Sequence, residues 1–534
     1  MERTKHPGVS TVAVLLLLLQ FVTAEADPFR RGDSNDDGVL DLSDGVFTLA
    51  WLFSGGDEPS CKDAADTNDD GTIDLSDAVH GLTWLFVAGA PPPAPGPSDC
   101  GVDPTADELD CAASESCSEL PSPPRNILLI ISDDIGLSAS RCYDQSAVAT
   151  PNIESLCAQG VVFRNAWAYP VCSPTRATLL TGRYPFRHGV GDPGAEIDLG
   201  EPTIPKALES SALDYTHACF GKWHLAGQSN GGADNPTLMG FDHYSGRWRG
   251  GGVGDYFEWD KTVNGSTATV SNYATSENVD DALDWIEQQE RPWLVWLAFN
   301  ASHTPFHLPP SDLHSFASLS GTPEDIAANP LPYYQAAIEA MDTEIGRLLG
   351  ALGPDTLANT TIIYAGDNGS PVRVAGQRSK GSLYQGGVHV PLIIAGAGVV
   401  DGGGDVEAIV DVTDLFATIV ELAGVDVEAV TPAEAPIDSV SLVPYFQDPD
   451  RASIRQWVLT ERFGPEVAVS QAGRAIRDQR YKLIRFDNSG DELYDLDDDP
   501  GESDDLLDGA PLSPDAQSHY DALSAALDAL NEDG

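Results

Sequence analysis

Three runs of apolar residues, each ending in polar side chains able to bind a ligand, constrain this chain more than any other feature. Ile127-Leu128-Leu129-Ile130-Ile131 leads into Ser132-Asp133-Asp134. The run from Trp293 to Phe299 leads into Asn300-Ala301-Ser302-His303, and Thr361 to Ala365 into Gly366-Asp367-Asn368-Gly369. A continuous apolar run is what a strand covered on both faces requires. A fourth, Leu392-Ile393-Ile394, follows a segment around Lys380, and helical periodicity over 279–289 and 334–352 lies between the runs. The body from residue 125 therefore reads as α/β, a large and mostly parallel sheet sandwiched by helices. Open parallel sheets gather their sites at the carboxyl ends of strands, so these polar groups are expected to converge.

The N-terminal region repeats with an offset of 33 residues. Asp33, Asn35, Asp37, Asp41 and Asp44 recur as Asp66, Asn68, Asp70, Asp74 and Asp77, with Gly38 and Gly71 at the sixth place of each loop. Oxygen side chains at the first, third, fifth, ninth and last positions around a glycine turn resemble an EF-hand calcium loop. Aspartate stands last where an EF-hand has glutamate, and one helix follows each loop, so the pair is similar to a dockerin module. That resemblance implies two calcium ions and a cohesin-like partner; a calcium-stapled structural pair is the alternative. Leu42, Val46, Leu49 and Phe53 share one helical face, as do Leu75, Val79, Leu82 and Phe86, and the two faces are expected to pack together. Residues 27–120 carry 21 acidic and three basic side chains, which repel one another without metal. The expected divisions are a signal peptide over 1–26, a dockerin-like module over 27–90, a Pro-rich, Cys-containing linker over 91–124, a catalytic domain over 125–425 and a C-terminal subdomain over 426–534.

The signal peptide reading rests on Arg3 and Lys5, the apolar stretch from Val12 to Val22 and the small-residue site Ala24-Glu25-Ala26. It implies a secreted or periplasmic enzyme, leaves attachment to the cell surface open, and predicts no membrane span after cleavage. A net charge of −54 argues against nucleic acid as a partner, because phosphate backbones demand a basic face. Of eight cysteines, Cys61, Cys100, Cys111 and Cys117 could form two disulfides in any of three pairings. Cys142, Cys157, Cys172 and Cys219 lie in the body.

The run Val171-Cys172-Ser173-Pro174-Thr175-Arg176, followed by Leu180-Thr181-Gly182-Arg183, resembles the C-x-P-x-R signature of type I, formylglycine-dependent sulfatases of the alkaline phosphatase superfamily. The resemblance implies that a maturation enzyme oxidises Cys172 to formylglycine. One hydroxyl of the hydrated aldehyde then attacks sulfur, while the other expels sulfate by elimination. Carried over residue by residue, Asp133, Asp134, Asp367 and Asn368, together with position 172, would hold one calcium ion. Arg176 would steady the aldehyde, and Lys222 and Lys380 would bind sulfate. His224, in Gly221-Lys222-Trp223-His224, would contact the formylglycine, and His303 the leaving group. Lys380 with His303 would supply the departing alkoxide with a proton, and Asp367 could take one from the attacking hydroxyl. His307 is read as a rim residue. Cys172 cannot cross-link once modified, so at least one body thiol should remain free.

The chain departs from the family at Gln385 and His389, where glutamate and arginine are expected to form an internal salt bridge. Residues 474–484 alternate as a hairpin, a strand over 492–500 closes the subdomain, and a helix runs from about Asp515 to Leu530. The substrate implied is a sulfated glycan or a small sulfate ester, with Arg247, Trp248 and Arg249 as candidate sugar contacts. A phosphonate or phosphodiester hydrolase of the same superfamily, and a non-catalytic scaffold-docking protein, are the alternatives.

Overall fold

In a computed structural model the chain divides into two compact units, 1–120 and 121–534. The structure describes residues 29–532 except 88, 98, 99, 102, 106–108, 110, 112, 113, 115, 116, 118–125, 210–213, 401, 433, 434 and 510. The signal segment expected over 1–26 and the Pro121 to Pro124 end of the linker lie outside the described residues. Among the described residues, no helix is long and apolar enough to cross a membrane.

In the N-terminal unit each Asp-rich loop leads into a helix, Leu42–Ser54 or Leu75–Val87. The loops bind their own backbone through carboxylates. Asp33 accepts the N–H groups of Asp37 and Gly38 at 3.0 and 2.9 Å, and Asp66 accepts those of Asp70 and Gly71 at 3.2 and 2.8 Å. The helices pack differently from the sequence expectation. Contact runs through small and polar positions, namely Gly45, Thr48, Ala78 and Gly81, which are buried along with Asp44 and Asp77. Leu42, Val46, Phe53, Leu75, Val79 and Phe86 are exposed instead, and only Leu49 and Leu82 are partly buried. The physical reason is the loops, whose buried carboxylates turn one face of each helix toward its partner and the apolar face outward. Arg31, fully buried, donates to the carbonyls of Asp63 and Asp66 and pairs with Asp69 and Asp103. Disulfides join Cys61 to Cys111 and Cys100 to Cys117, one of the three pairings open from sequence.

The second unit is built on ten strands. They are β1 (Asn126–Ser132), β2 (Val161–Trp167), β3 (Thr216–Lys222), β4 (His243–Arg247), β5 (Trp259–Val263), β6 (Ser266–Val270), β7 (Trp293–Ala298), β8 (Thr360–Gly366), β9 (Leu392–Gly396) and β10 (Gly404–Asp411). Their order is β10-β2-β9-β8-β1-β7-β3-β4-β5-β6. The centre, β8-β1-β7-β3-β4, is parallel, and β9 runs against both its neighbours. β1, β3, β7 and β8 are buried at every residue, as central strands between two helical layers must be. One apolar cluster on each face seals the sheet, with Leu129, Trp296 and Ile363 on one side and Leu128, Val295 and Ile362 on the other. The helices Ala274–Ile286 and Pro330–Leu357 cover the second face. The Cys142–Cys157 disulfide leaves Cys172 and Cys219 as buried free thiols, as the odd count requires.

Four further strands, β11 (Val458–Arg462), β12 (Gly473–Arg477), β13 (Tyr481–Phe486) and β14 (Gly490–Asp495), form an antiparallel sheet. The helix Pro514–Glu532 packs on it through Ala516, Leu523, Leu527 and Leu530. Gln385 and His389 do not contact each other as a substitute pair. Gln385 accepts from the indole of Trp167 at 2.8 Å, and His389 bonds the Arg164 carbonyl at 2.8 Å.

Asp411, at the end of β10, accepts the Thr413 N–H at 2.9 Å and neighbours Asp414, which binds Arg455. Burial, and then the charge of Asp414, pushes the Asp411 carboxyl up to about 7 from its ordinary 3.8. The folded state holds a proton that the unfolded chain gives up. This contribution to stability is therefore full below about pH 4 and is lost as the pH rises to about 7. In calorimetric melts between about pH 5 and 8, the wild-type Tm should fall relative to that of Asp411→Asn. Parallel curves would contradict the assignment.

Candidate active site

Every polar strand end singled out in the sequence reaches one place. Asp133 and Asp134 follow β1, Asp367 and Asn368 follow β8, Lys222 closes β3, and His303 lies in the turn after β7. Between them enters the first turn of the helix Cys172–Thr181, which is buried along its whole length. Facing atoms of Asp133, Asp134, Cys172 and His303 all lie within 4.8 Å of one another.

Charges are paired within this cluster. Lys222 Nζ donates to Asp133 Oδ2 at 2.6 Å, and Arg176 donates through Nε and Nη2 to Asp367 Oδ2 at 3.2 and 2.8 Å. Lys380 Nζ binds Asp134 Oδ1 and lies 3.4 Å from Cys172 Sγ. Cys172 Sγ is 3.6 Å from Asp133 Oδ1. Three buried carboxylates thus face three cations. Burial raises the Asp134 carboxyl, but Lys380, His303 and Lys222 outweigh it and hold the group below the usual range. Asp367 is likewise held low against burial, by Arg176 and Lys222. Asp133 is different, since burial and then the like charge of Asp367 push it well above the ordinary value despite Lys222. Burial also drives the Cys172 thiol up to about 12, so the unmodified thiol is a poor nucleophile here.

Asn368 supplies the fit test for a metal. Its Nδ2 donates to Asp134 Oδ1 at 2.8 Å, while its buried Oδ1 has no hydrogen-bond partner among the described residues. An orphaned amide oxygen beside three carboxylates, one of them unfavourably charged, is a hard oxygen donor set of the kind calcium takes.

The histidines divide. His303 Nδ1 lies 2.7 Å from the Thr304 carbonyl, which makes Nδ1 the protonated nitrogen and leaves Nε2 facing Asp134 Oδ2 at 4.0 Å. Burial, and then Lys222, pull its pKa to about 4. His224 sits at positive φ two residues past Lys222, and its carbonyl accepts from Ser173 Oγ at 2.8 Å. Burial and the nearby cations keep it neutral. His307 lies outside the cluster, stacked on Tyr256 with ring centroids 3.9 Å apart.

Two positioning tyrosines had no signal in the sequence. The Tyr256 hydroxyl lies 2.5 Å from the carbonyl oxygen of Asn300 and 2.8 Å from that of His303, pinning the turn that presents His303. The Tyr334 hydroxyl donates to the Asp134 carbonyl at 2.7 Å. Each reaches the site across a long gap in sequence; Tyr334 opens the helical pattern over 334–352, which marks it as a packing residue and not as part of a site.

Two family models match the chain, "Sulfatase" over residues 125–425 and "N-sulphoglucosamine sulphohydrolase, C-terminal" over 376–531. Among curated proteins, N-acetylgalactosamine-6-sulfatase of Sus scrofa is 28% identical over 377 residues, covering 62% of this chain and 68% of that protein. Steryl-sulfatase of Rattus norvegicus is 25% identical over 429 residues, covering 61% and 71%. Among solved structures, BT4656 in complex with its substrate D-glucosamine-2-N,6-O-disulfate is 23% identical, with TM-score 0.63, covering 75% of this chain and 97% of that one. The PsFucS1 sulfatase from Pseudoalteromonas sp. is 21% identical, with TM-score 0.58, covering 71% and 85%. With more than half its length matched by one family model, the chain belongs to the sulfatase family, the hydrolases of sulfate esters.

Proposed function

We propose that this sulfatase removes sulfate from a sulfated carbohydrate outside the cytoplasm. In this reading Cys172 is matured to formylglycine by a dedicated enzyme, and one calcium ion is held by Asp133, Asp134, Asp367, Asn368 and position 172. The observation that carries the reading is the balanced set of three buried carboxylates and three cations around Cys172, with the Asn368 amide oxygen left unpartnered. Formally neutral as it stands, the cluster becomes positive with a divalent cation. A chain of net charge −54 then presents a local attraction for an anionic ester. The carbohydrate reading is supported by relatives named for action on sulfated sugars.

Calcium, when bound, would supply Lewis-acid charge beside the sulfate oxygens. Formylglycine at 172 would supply a hydroxyl nucleophile as its hydrate. The remaining work falls to the side chains. Arg176, Lys222 and Lys380 bind the sulfate and offset the charge that develops on it. Asp133 Oδ1, 3.6 Å from the 172 side chain, takes the proton of the attacking hydroxyl. Asp367 was expected in that role, but its oxygens are engaged by Arg176 and by the Asp134 N–H, so it orients Arg176 instead. Lys380 Nζ holds the proton given to the leaving alkoxide, with His303 Nε2 at the same oxygen, and His224 stays neutral beside position 172.

Cys172→Ala should lose all measurable turnover of sulfate esters while keeping its fold and calcium-dependent stabilisation; retained turnover contradicts the nucleophile. Lys380→Ala should lower kcat by about a hundred- to a thousandfold. Chelation should abolish turnover, with calcium restoring it better than magnesium. Matched aryl sulfate and aryl phosphonate esters separate this reading from a phosphonate hydrolase.

In the same reading the N-terminal unit is a dockerin-like module holding two calcium ions, one on Asp33, Asn35, Asp37, Asp41 and Asp44, and one on Asp66, Asn68, Asp70, Asp74 and Asp77. Desolvation lifts Asp44 to about 6 and Asp77 to about 7, a cost that bound cations would relieve. The outward apolar faces favour a cohesin-like partner over a purely structural pair. Phe53→Ser with Phe86→Ser should leave calcium binding intact and abolish capture of a cohesin domain; unchanged capture would contradict the docking face.

A further inference from the structure

A cavity of about 410 Å³, large enough for one sugar residue, is lined by Phe186, Phe463, Arg462, Arg474 and Arg485 together with the acidic Glu461 and Asp487. Two of its three arginines are neutralised within the protein. Arg474 pairs with Glu461 at 2.9 Å, and Arg485 pairs with Asp491 and Asp528, each at 2.9 Å. Arg462 is not neutralised. It has no ion pair among the described residues, and its buried Nε has no hydrogen-bond partner. Its Nη1 donates to neutral oxygens, the Gly381 carbonyl and Gln471 Oε1, the latter at 3.1 Å. The acidic group that acts on it, Asp192, spends its carboxylate on the N–H groups of Gly194 and Glu466. A half-buried guanidinium with no carboxylate bonded to it directly is costly, and in a chain carrying 83 acidic residues that is a specific arrangement.

The cavity is tied to the active site by its own walls. Arg462 holds the carbonyl of Gly381, the residue after Lys380, and the Gly381 N–H donates to Pro170, two residues before Cys172. Phe463 donates to the Gly191 carbonyl, and the same segment continues to Pro193, whose carbonyl accepts from Ser173 next to Cys172. Phe463 and Phe186 are both partly exposed, and the Phe186 ring already carries the Arg187 and Arg474 guanidinium groups, 4.8 and 5.0 Å from its centroid.

We propose that this cavity is a second binding subsite, in which Arg462 receives a sulfate or carboxylate on the sugar adjoining the one that is desulfated. The proposal rests on the sulfatase reading above and assigns it a substrate class, polyanionic oligosaccharides rather than isolated sulfate esters.

The test compares wild type with Arg462→Gln on 4-nitrophenyl sulfate, which carries no adjoining sugar, and on tetrasaccharides of heparin and chondroitin sulfate. Binding of the same tetrasaccharides is measured by calorimetry on Cys172→Ala protein, with and without Arg462→Gln. The expected result is a drop of about tenfold in the ratio of tetrasaccharide to aryl sulfate kcat/KM, carried by KM, with a matching loss of binding. Equal losses on both substrates would make Arg462 a prop of the Lys380 segment and overturn the subsite. So would unchanged binding, or no binding by the parent protein. If wild type hydrolyses neither substrate, the sulfatase reading fails, while Arg462-dependent binding in calorimetry still upholds the cavity.

Discussion

Three buried carboxylates and three cations share one space, and the architecture serves to keep them balanced there. Asp133 with Lys222, Asp134 with Lys380 and Asp367 with Arg176 are ion pairs whose members come from distant parts of the chain. Removing one partner from such a buried pair costs about 3–5 kcal/mol, because the other charge is stranded. The set therefore depends on β1, β3 and β8 being held in register, and the fully buried central strands supply that rigidity. The helix carrying Cys172 and Arg176 could not be buried along its length without Asp367 to receive the guanidinium.

The same balance accounts for how so acidic a protein can attract an anionic ester. Negative charge is spread over the surface and concentrated in the N-terminal unit, where screening by salt tempers it. At the catalytic centre the count is even, and any added cation tips it positive. Arg462 extends that logic outward from the centre, marking where a second anion would be tolerated.

Much of this was legible in the sequence because parallel sheets translate strand order into convergence. Asp133, Asp367 and His303 each follow an apolar run, so their meeting could be expected without knowing the strand order. What was not legible depended on packing between distant segments. Tyr256 and Tyr334 reach the site from far along the chain, with no motif around them. The helical faces bearing Leu42 and Leu75 looked like a private core, but periodicity shows only that a face is apolar, not which way it turns. There the buried carboxylates Asp44 and Asp77 decide the orientation. Gln385 and His389 looked like a lost salt bridge, whereas each has found a separate partner in Trp167 or a backbone carbonyl.

The central claim is that position 172 acts as an aldehyde, in keeping with the C-x-P-x-R run and with a thiol that burial pushes up to about 12 and makes a poor nucleophile. The direct measurement is the mass of the tryptic peptide Asn165–Arg176 from active protein made in its own host. The account predicts formylglycine in place of cysteine, in a proportion that tracks specific activity. Fully active protein whose peptide carries only the unmodified thiol would contradict it.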